Sequence, residues 1–224
     1  MGLYAIDCPT CKKPFMWFSG NLDQRCSACS AASIIVKPKL YLPMDNESGG
    51  LLDDVSLLST YMEVVDEQHN VIDSLELYVK PNDGLYKVEA QGLEINKINL
   101  VEHDKIAITY SEAGQILFKF LKKNSQDGAI KLIPVGKNVA GDVKWLQQHL
   151  LGKKAMDKFV SYRVLDITGI AMALQIKGKL PPYIGLSLTS LVNHFSIIIP
   201  GALHEAKYDT QATMAVWVKL LELM

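Results

Sequence analysis

Two groups of residues in this chain have the types and spacing that chemistry requires. The four cysteines are Cys8-Pro-Thr-Cys11 and Cys26-Ser-Ala-Cys29, two CxxC pairs with fourteen residues between them. Two such knuckles can place four thiolates tetrahedrally around zinc, each at about 2.3 Å. The gap is one residue short of the commonest range for this pattern. The rival uses are two disulfides or a redox CxxC. A cytosolic chain disfavours the first, and a doubled motif in so short a segment disfavours the second. Four sulfurs leave no open coordination position, so the expected ion is one structural Zn2+. The second group lies in Tyr41 to Leu51, read YLPMDNESGGL. If Tyr41 to Glu47 is a strand, Asp45 and Glu47 project side by side and Asn46 faces away. Two carboxylates that close repel each other unless protons or cations neutralise them. Hard divalent cations with oxygen ligands suit that task. Standing alone, such a pair is more often what a solvated turn carries.

Two further acidic positions are candidates. Asp142 ends Gly136-Lys137-Asn138-Val139-Ala140-Gly141-Asp142, near a helix start, where an anion is favoured in any case. Asp209 follows His204 by five residues, which at 100° each puts the two roughly 140° apart on a regular helix. They converge only if His204 lies on the loop before the helix.

The elements that must position these residues follow from pattern. Residues 1–36 form a unit too small to bury a core of its own, so metal binding would supply its folding free energy. Residues 1–40 carry a net charge of +3 and the remainder −4. Phe15, Trp17 and Phe18 lie among those charges, placed either to stack on bases or to fasten the ribbon to its neighbour. Lys37-Pro38-Lys39 is too short for a floppy linker, so the ribbon is expected against the main domain, 37–224. There, Lys39 to Asp45, Val55 to Val65, Val71 to Lys80 and Ala129 to Val135 read as strands, with a short one at Val164 and Leu165. Val88 to Ile98 reads as a short helix or loop. Thr109-x-x-Glu112 is a capping box that opens a helix to Asn124. Val143 to Leu151, Asp166 to Ile176, Ser187 to Phe195 and Glu205 to Leu223 read as further helices, the first stopped by Gly152. Strands first, then strands alternating with helices, give an α/β mixed sheet with helices on both faces.

Composition bounds the function. With 49% hydrophobic and 21% charged residues the chain is ordinary for a globular protein, and its net charge of −1 supplies no global field for nucleic acid. Any polyanion must be held by local basic groups or metal ions. No apolar run approaches the ~20 residues of a membrane span, and MGLYAID has neither a basic nor an apolar leader segment. A cytoplasmic location without membrane contact is the expectation.

The ordered set Asp45-x-Glu47-Ser48-Gly49-Gly50-Leu51, then N-V-A-G-D ending at Asp142, then His204-x-Ala206-x-x-Asp209 resembles the DEDD exonuclease superfamily, histidine branch. Members include proofreading subunits of bacterial replicases and oligoribonucleases. The resemblance covers residues 39–224. It implies a ribonuclease-H-like sheet and two-metal hydrolysis of nucleic acid from a 3′ end, single-stranded or frayed, releasing nucleoside 5′-monophosphates. It implies two Mg2+ or Mn2+ ions on Asp45, Glu47, Asp142 and Asp209, with His204 as general base. Ser48, Leu51 and Ile98 match positions that contact the terminal nucleotide in family members. A DNA polymerase or other replication protein is the implied protein partner.

Two positions depart from the family pattern, where the second motif often reads G-H-N-x-x-F-D. Lys137 replaces the histidine and reads as a surface lysine or a phosphate contact. Gly141 replaces an aromatic that packs in the groove. His69, His103, His149 and His194 have no motif around them and read as surface or partly buried. The competing function is a catalytically inactive nucleic-acid-binding or polymerase-adaptor protein retaining the fold. The intact set of five argues against it, since decay removes a carboxylate or the histidine.

Overall fold

The computed structural model describes residues 3–9, 11–18, 26–27, 38–52 and 54–224. The chain divides into two compact units, Met1–Lys37 and Pro38–Met224. In the first, β1 (Leu3–Asp7) and β2 (Pro14–Phe18) pair antiparallel, Leu3 opposite Phe18 and Asp7 opposite Pro14. Pro14, which has no N–H, takes the first position of its strand, where a ladder bond is least missed. The turn is closed by Cys8 N–H donating to Lys13 O (2.9 Å) and Lys12 N–H to Cys8 O (2.8 Å), with Lys12 left-handed at φ 57°.

The second unit is built on a six-stranded sheet. Its strands are β3 (Leu40–Ser48), β4 (Leu57–Val65), β5 (Val71–Lys80), β6 (Ile108–Thr109), β7 (Leu132–Gly136) and β8 (Leu165–Asp166), in the order β6-β5-β4-β3-β7-β8. Strands β3, β4 and β5 form an antiparallel meander. Strands β7 and β6 join parallel to β3 and β5, and β8 parallel to β7. The helices are α1 (Ala90–Asn96), α2 (Leu100–Ile106), α3 (Tyr110–Asn124), α4 (Val139–His149), α5 (Lys153–Phe159), α6 (Ile167–Ile176), α7 (Leu188–His194) and α8 (Ala206–Glu222).

The alternation along β3 explains how the sheet holds both its helical layers. Leu42 and Met44 point into a core shared with Leu117 and Leu121 of α3, Leu146 of α4 and Phe159 of α5. Tyr41 points to the other side, edge-on to Trp217 of α8 (ring centroids 4.9 Å), in a core with Ile167, Ala171, Leu191 and Leu220. Each fully buried side chain of this size contributes roughly 1.5–3 kcal/mol. A one-residue slip would exchange the two sets, so the register is strongly specified. Asp45 and Glu47 continue the Tyr41 phase, beneath α8.

Several elements differ from the sequence reading. Helix α2 was not expected; the Asn99 side chain caps it, accepting from Val101 N (3.0 Å) and Glu102 N (3.4 Å). Helix α5 follows Gly152 directly, so that glycine separates two helices rather than ending one. Helix α4 starts at Val139, and β7 runs Leu132–Gly136 where a strand from Ala129 was expected. Strand β6 is only two residues long, too short for a pattern to reveal. His103 is buried rather than exposed or partly so, its Nε2 3.0 Å from Val79 O. The capping box at Thr109 and Glu112 is present, with both reciprocal bonds made. No helix among the described residues is long and apolar enough to cross a membrane.

Candidate active site

The carboxyl end of β3 is where the acidic residues meet. A register shift against β4 falls between Glu47 and Ser48, which bends the strand as it leaves the sheet. Ligand oxygens of Asp45, Glu47 and Asp209 all lie within 4.8 Å of one another. Asp209 comes from the first turn of α8, which Thr210 Oγ1 ties to the sheet by donating to Tyr61 O at 3.4 Å, while also bonding back to Ala206 O of its own helix at 2.8 Å. Asp142, in the first turn of α4, approaches from the opposite helical layer. Asn46 faces that layer and its Nδ2 donates to Asp142 O (3.0 Å), tying α4 to the strand between the two carboxylates.

Burial raises all four of these carboxyl groups. Burial holds the Asp45 carboxyl well above its usual range, with the charges of Asp142, Glu47 and Asp209 adding to the shift. Burial, then Asp209 and Asp142, pushes Glu47 up to about 8. Burial pushes Asp142 to about 7, and Asp209 is also raised by burial, against the hydrogen bond from His204 N. Lys137 opposes the rise at Asp45, Asp142 and Asp209. A set of crowded carboxylates that cannot all ionise by themselves is what a site for divalent cations looks like before the ions neutralise it.

His204 is exposed and lies on the loop before α8, where its backbone is left-handed at φ 73°. Its N–H donates to Asp209 Oδ1 (3.1 Å), so loop and carboxylate are locked together. The loop is seated by Gly201, whose α-carbon rests so close to the Tyr208 ring that a Cβ would lie 2.0 Å from it. His204 lines two cavities. One, of about 280 Å³, runs from Glu47 across Ser59 and Tyr61 to Tyr78, and Ile98 lines it too. The other, of about 230 Å³, is bounded by Asp45, Lys137, Ser187, Thr189 and Asp209. Leu51, 87% exposed, and Ser48 line a third cavity of about 170 Å³, which shares Glu47, Ile95 and Asn96 with the first. Leu51 and Ile98 therefore flank adjoining spaces beside the acidic cluster.

Four residues at this site have structural roles that the sequence alone did not assign. Glu89 Oε2 accepts from Leu51 N (2.6 Å) and Leu52 N (3.3 Å) and pins the turn after β3. Gly92 of α1 lets the helix touch that turn, since a Cβ there would meet Gly49 O at 2.5 Å. Buried Asn96 donates from Nδ2 to Ser48 O (2.9 Å) and accepts from Ile98 N at 3.0 Å. Lys137, read above as a surface lysine or a phosphate contact, is half-buried and faces the carboxylates. The first three hold a turn 37 to 48 residues away in the chain, a separation that no local pattern signals.

The cysteines form a second cluster. Sulfurs of Cys8, Cys11 and Cys26 lie within 4.8 Å of one another, with Cys11 Sγ 3.6 Å from Cys26 Sγ. Tetrahedral zinc with ~2.3 Å bonds spaces its sulfurs about 3.8 Å apart, so the three fit such an ion. Cys26 N–H donates to Cys8 Sγ (3.4 Å), a bond suited to a thiolate. Cys29 lies outside the described residues.

No protein-family model and no curated protein matches the chain. Solved structures do. Escherichia coli exonuclease I bound to a dT13 oligonucleotide superposes with a TM-score of 0.65 at 17% identity, covering 82% of this chain and 41% of that one. The fold is that of exonuclease I. The zinc-bound form of its complex with single-stranded DNA gives 0.66 at 17% identity, over 83% of this chain and 41% of that one. Its complex with SSB-Ct gives 0.65 at 16%, with the same coverage. The chain thus spans about two-fifths of the length of exonuclease I, and the likeness establishes a ribonuclease-H-like mixed sheet flanked by helices.

Proposed function

We propose that this chain is a metal-dependent 3′–5′ exonuclease that hydrolyses phosphodiester bonds from the 3′ end of DNA or RNA and releases nucleoside 5′-monophosphates. The observation that carries the reading is the meeting of Asp45, Glu47 and Asp209 within 4.8 Å, with Asp142 close enough to raise Asp45. The shared fold with an exonuclease supports it. Asp45, Glu47, Asp142 and Asp209 would hold two Mg2+ or Mn2+ ions. Such ions, when bound, supply Lewis acidity and neutralise charge at the attacking and leaving oxygens. His204 takes the proton from the attacking water at a ring nitrogen, and its loop is held to Asp209 for that purpose. Ser48, Leu51 and Ile98 contact the terminal nucleotide from the two adjoining cavities. The substrate is a single-stranded or frayed 3′ end, in keeping with the oligonucleotides bound by exonuclease I. Residues 1–36 act as a zinc ribbon on Cys8, Cys11, Cys26 and Cys29, and residues 37–224 as the exonuclease domain. A polymerase or other replication protein is the proposed protein partner.

The test is digestion of DNA and RNA oligonucleotides, labelled at one end and blocked in turn at each, with and without magnesium or manganese. Stepwise shortening from a free 3′ end that needs the ion supports the reading. Tight binding with no hydrolysis in any ion would instead favour the inactive adaptor.

A further inference from the structure

Lys137 is the feature of the site that the reading above does not use. It leaves β7 at Gly136, which is packed so closely on β3 that a Cβ would lie 3.1 Å from Met44 O. Next comes Asn138, left-handed at φ 56°, whose N–H donates to Asp166 Oδ2 (3.2 Å). Both neighbours are thus fixed, and the lysine stem is confined beside the metal strand. Its side chain is half-buried and lines the cavity that holds Asp45, His204 and Asp209. Its charge acts on three of the four carboxylates, yet it closes no ion pair among the described residues. Lys207, on the neighbouring cavity, is by contrast already paired with Glu76 at 3.5 Å. Hydroxyl-bearing Ser187 and Thr189 line the same cavity as Lys137, together with the apolar Leu188 and Leu203.

A half-buried ammonium with donors to spare is costly unless something anionic meets it. With the carboxylates committed to metal ions, the anion left is the substrate's. We propose that Lys137 is a phosphate-binding residue, its ammonium donating to a non-bridging oxygen of the nucleic-acid backbone where it passes the cavity shared with Ser187 and Thr189. The inference rests on the exonuclease reading. An ammonium binds phosphate as a compact point charge without reading the base, so this contact strengthens binding for every sequence alike.

The experiment is a salt titration of binding to a fluorescent thymidine oligonucleotide with a 3′-terminal phosphorothioate linkage, at fixed low calcium to slow hydrolysis. Each phosphate neutralised on a single strand adds about 0.7 to the slope of log K against log salt. Lys137→Met is expected to lower that slope by about 0.7 and weaken binding roughly tenfold at low salt, the two proteins converging at high salt. Lys137→Arg should restore the slope, and Lys137→Gln is a second uncharged variant if the methionine form does not fold. An unchanged slope in both uncharged variants overturns the proposal and leaves Lys137 as a counter-charge to the carboxylates. An arginine form as weak as the methionine form also overturns it. If the unaltered protein does not bind the oligonucleotide at all, the exonuclease reading falls with it.

Discussion

Asp45 and Asp209 reach the same point from β3 and α8, with their ligand oxygens within 4.8 Å. Asp45→Ala or Asp209→Ala is expected to abolish hydrolysis while leaving the fold intact, because either change removes a raised, repelling carboxyl. Near-normal turnover by a well-folded variant would contradict the metal site. His204→Ala should slow hydrolysis roughly 10²–10⁴-fold, the scale of a lost general base. Single-turnover kinetics would show it, and a loss under about threefold would point to another base. At this scale the sequence was informative where spacing carries geometry. A two-residue step on a strand puts Asp45 and Glu47 on one face without any tertiary knowledge. Lys137 was less legible, since whether a lysine stem turns to solvent or inward depends on the packing of Gly136 on Met44, which no local pattern encodes.

At the scale of elements, α1 acts as a clasp on the turn after β3. It holds the turn by Glu89, by the bare backbone of Gly92 and by the buried amide of Asn96. Gly92→Ala forces a Cβ against Gly49 O, where backbone cannot yield cheaply. The expected cost is roughly 1–3 kcal/mol of stability, together with a loss of turnover on the order of 10²-fold from displaced substrate contacts. Thr109→Ala provides the contrast. It deletes a helix cap remote from the cluster and should cost about 1 kcal/mol with turnover unchanged. Denaturant melts and steady-state rates on both variants separate the two effects. The cap at Thr109 was readable because its partner Glu112 lies three residues on. The clasp was not, because its hydrogen bonds span 37 to 48 residues. Helix α2 and strand β6 escaped for a different reason, each being shorter than the window over which periodicity can be recognised.

At the scale of the whole molecule, the carboxylate cluster couples stability to pH. Glu47 is raised from 4.5 to about 8 and Asp142 from 3.8 to about 7, so the metal-free native state keeps protons that the unfolded chain has released. Stability therefore falls as pH rises through the window from the unfolded to the folded values. The metal-free protein should melt at a lower temperature at about pH 8.5 than at about pH 5.5. Added magnesium or manganese should raise the melting temperature more at the higher pH, since an ion must displace those protons. A melting temperature that climbs with pH in the absence of metal would refute this account of the cluster. In the first unit, zinc removal is expected to unfold residues 1–36, read as loss of the β1–β2 amide signals with those of residues 38–224 retained. Metal analysis that finds no zinc would end the ribbon proposal.

The phase of β3 has a consequence for which kinds of sequence change the protein can survive. Leu42 and Met44 face one helical layer, and Asp45 and Glu47 follow the phase of the other. One extra residue between Met44 and Asp45 would turn both carboxyl groups toward the aliphatic packing, or drag methionine and leucine out of it. Exchanging a side chain there is expected to silence the proposed chemistry. Changing the count by one would cost the architecture as well, so insertions and deletions in this segment are expected to yield insoluble chain rather than inactive protein.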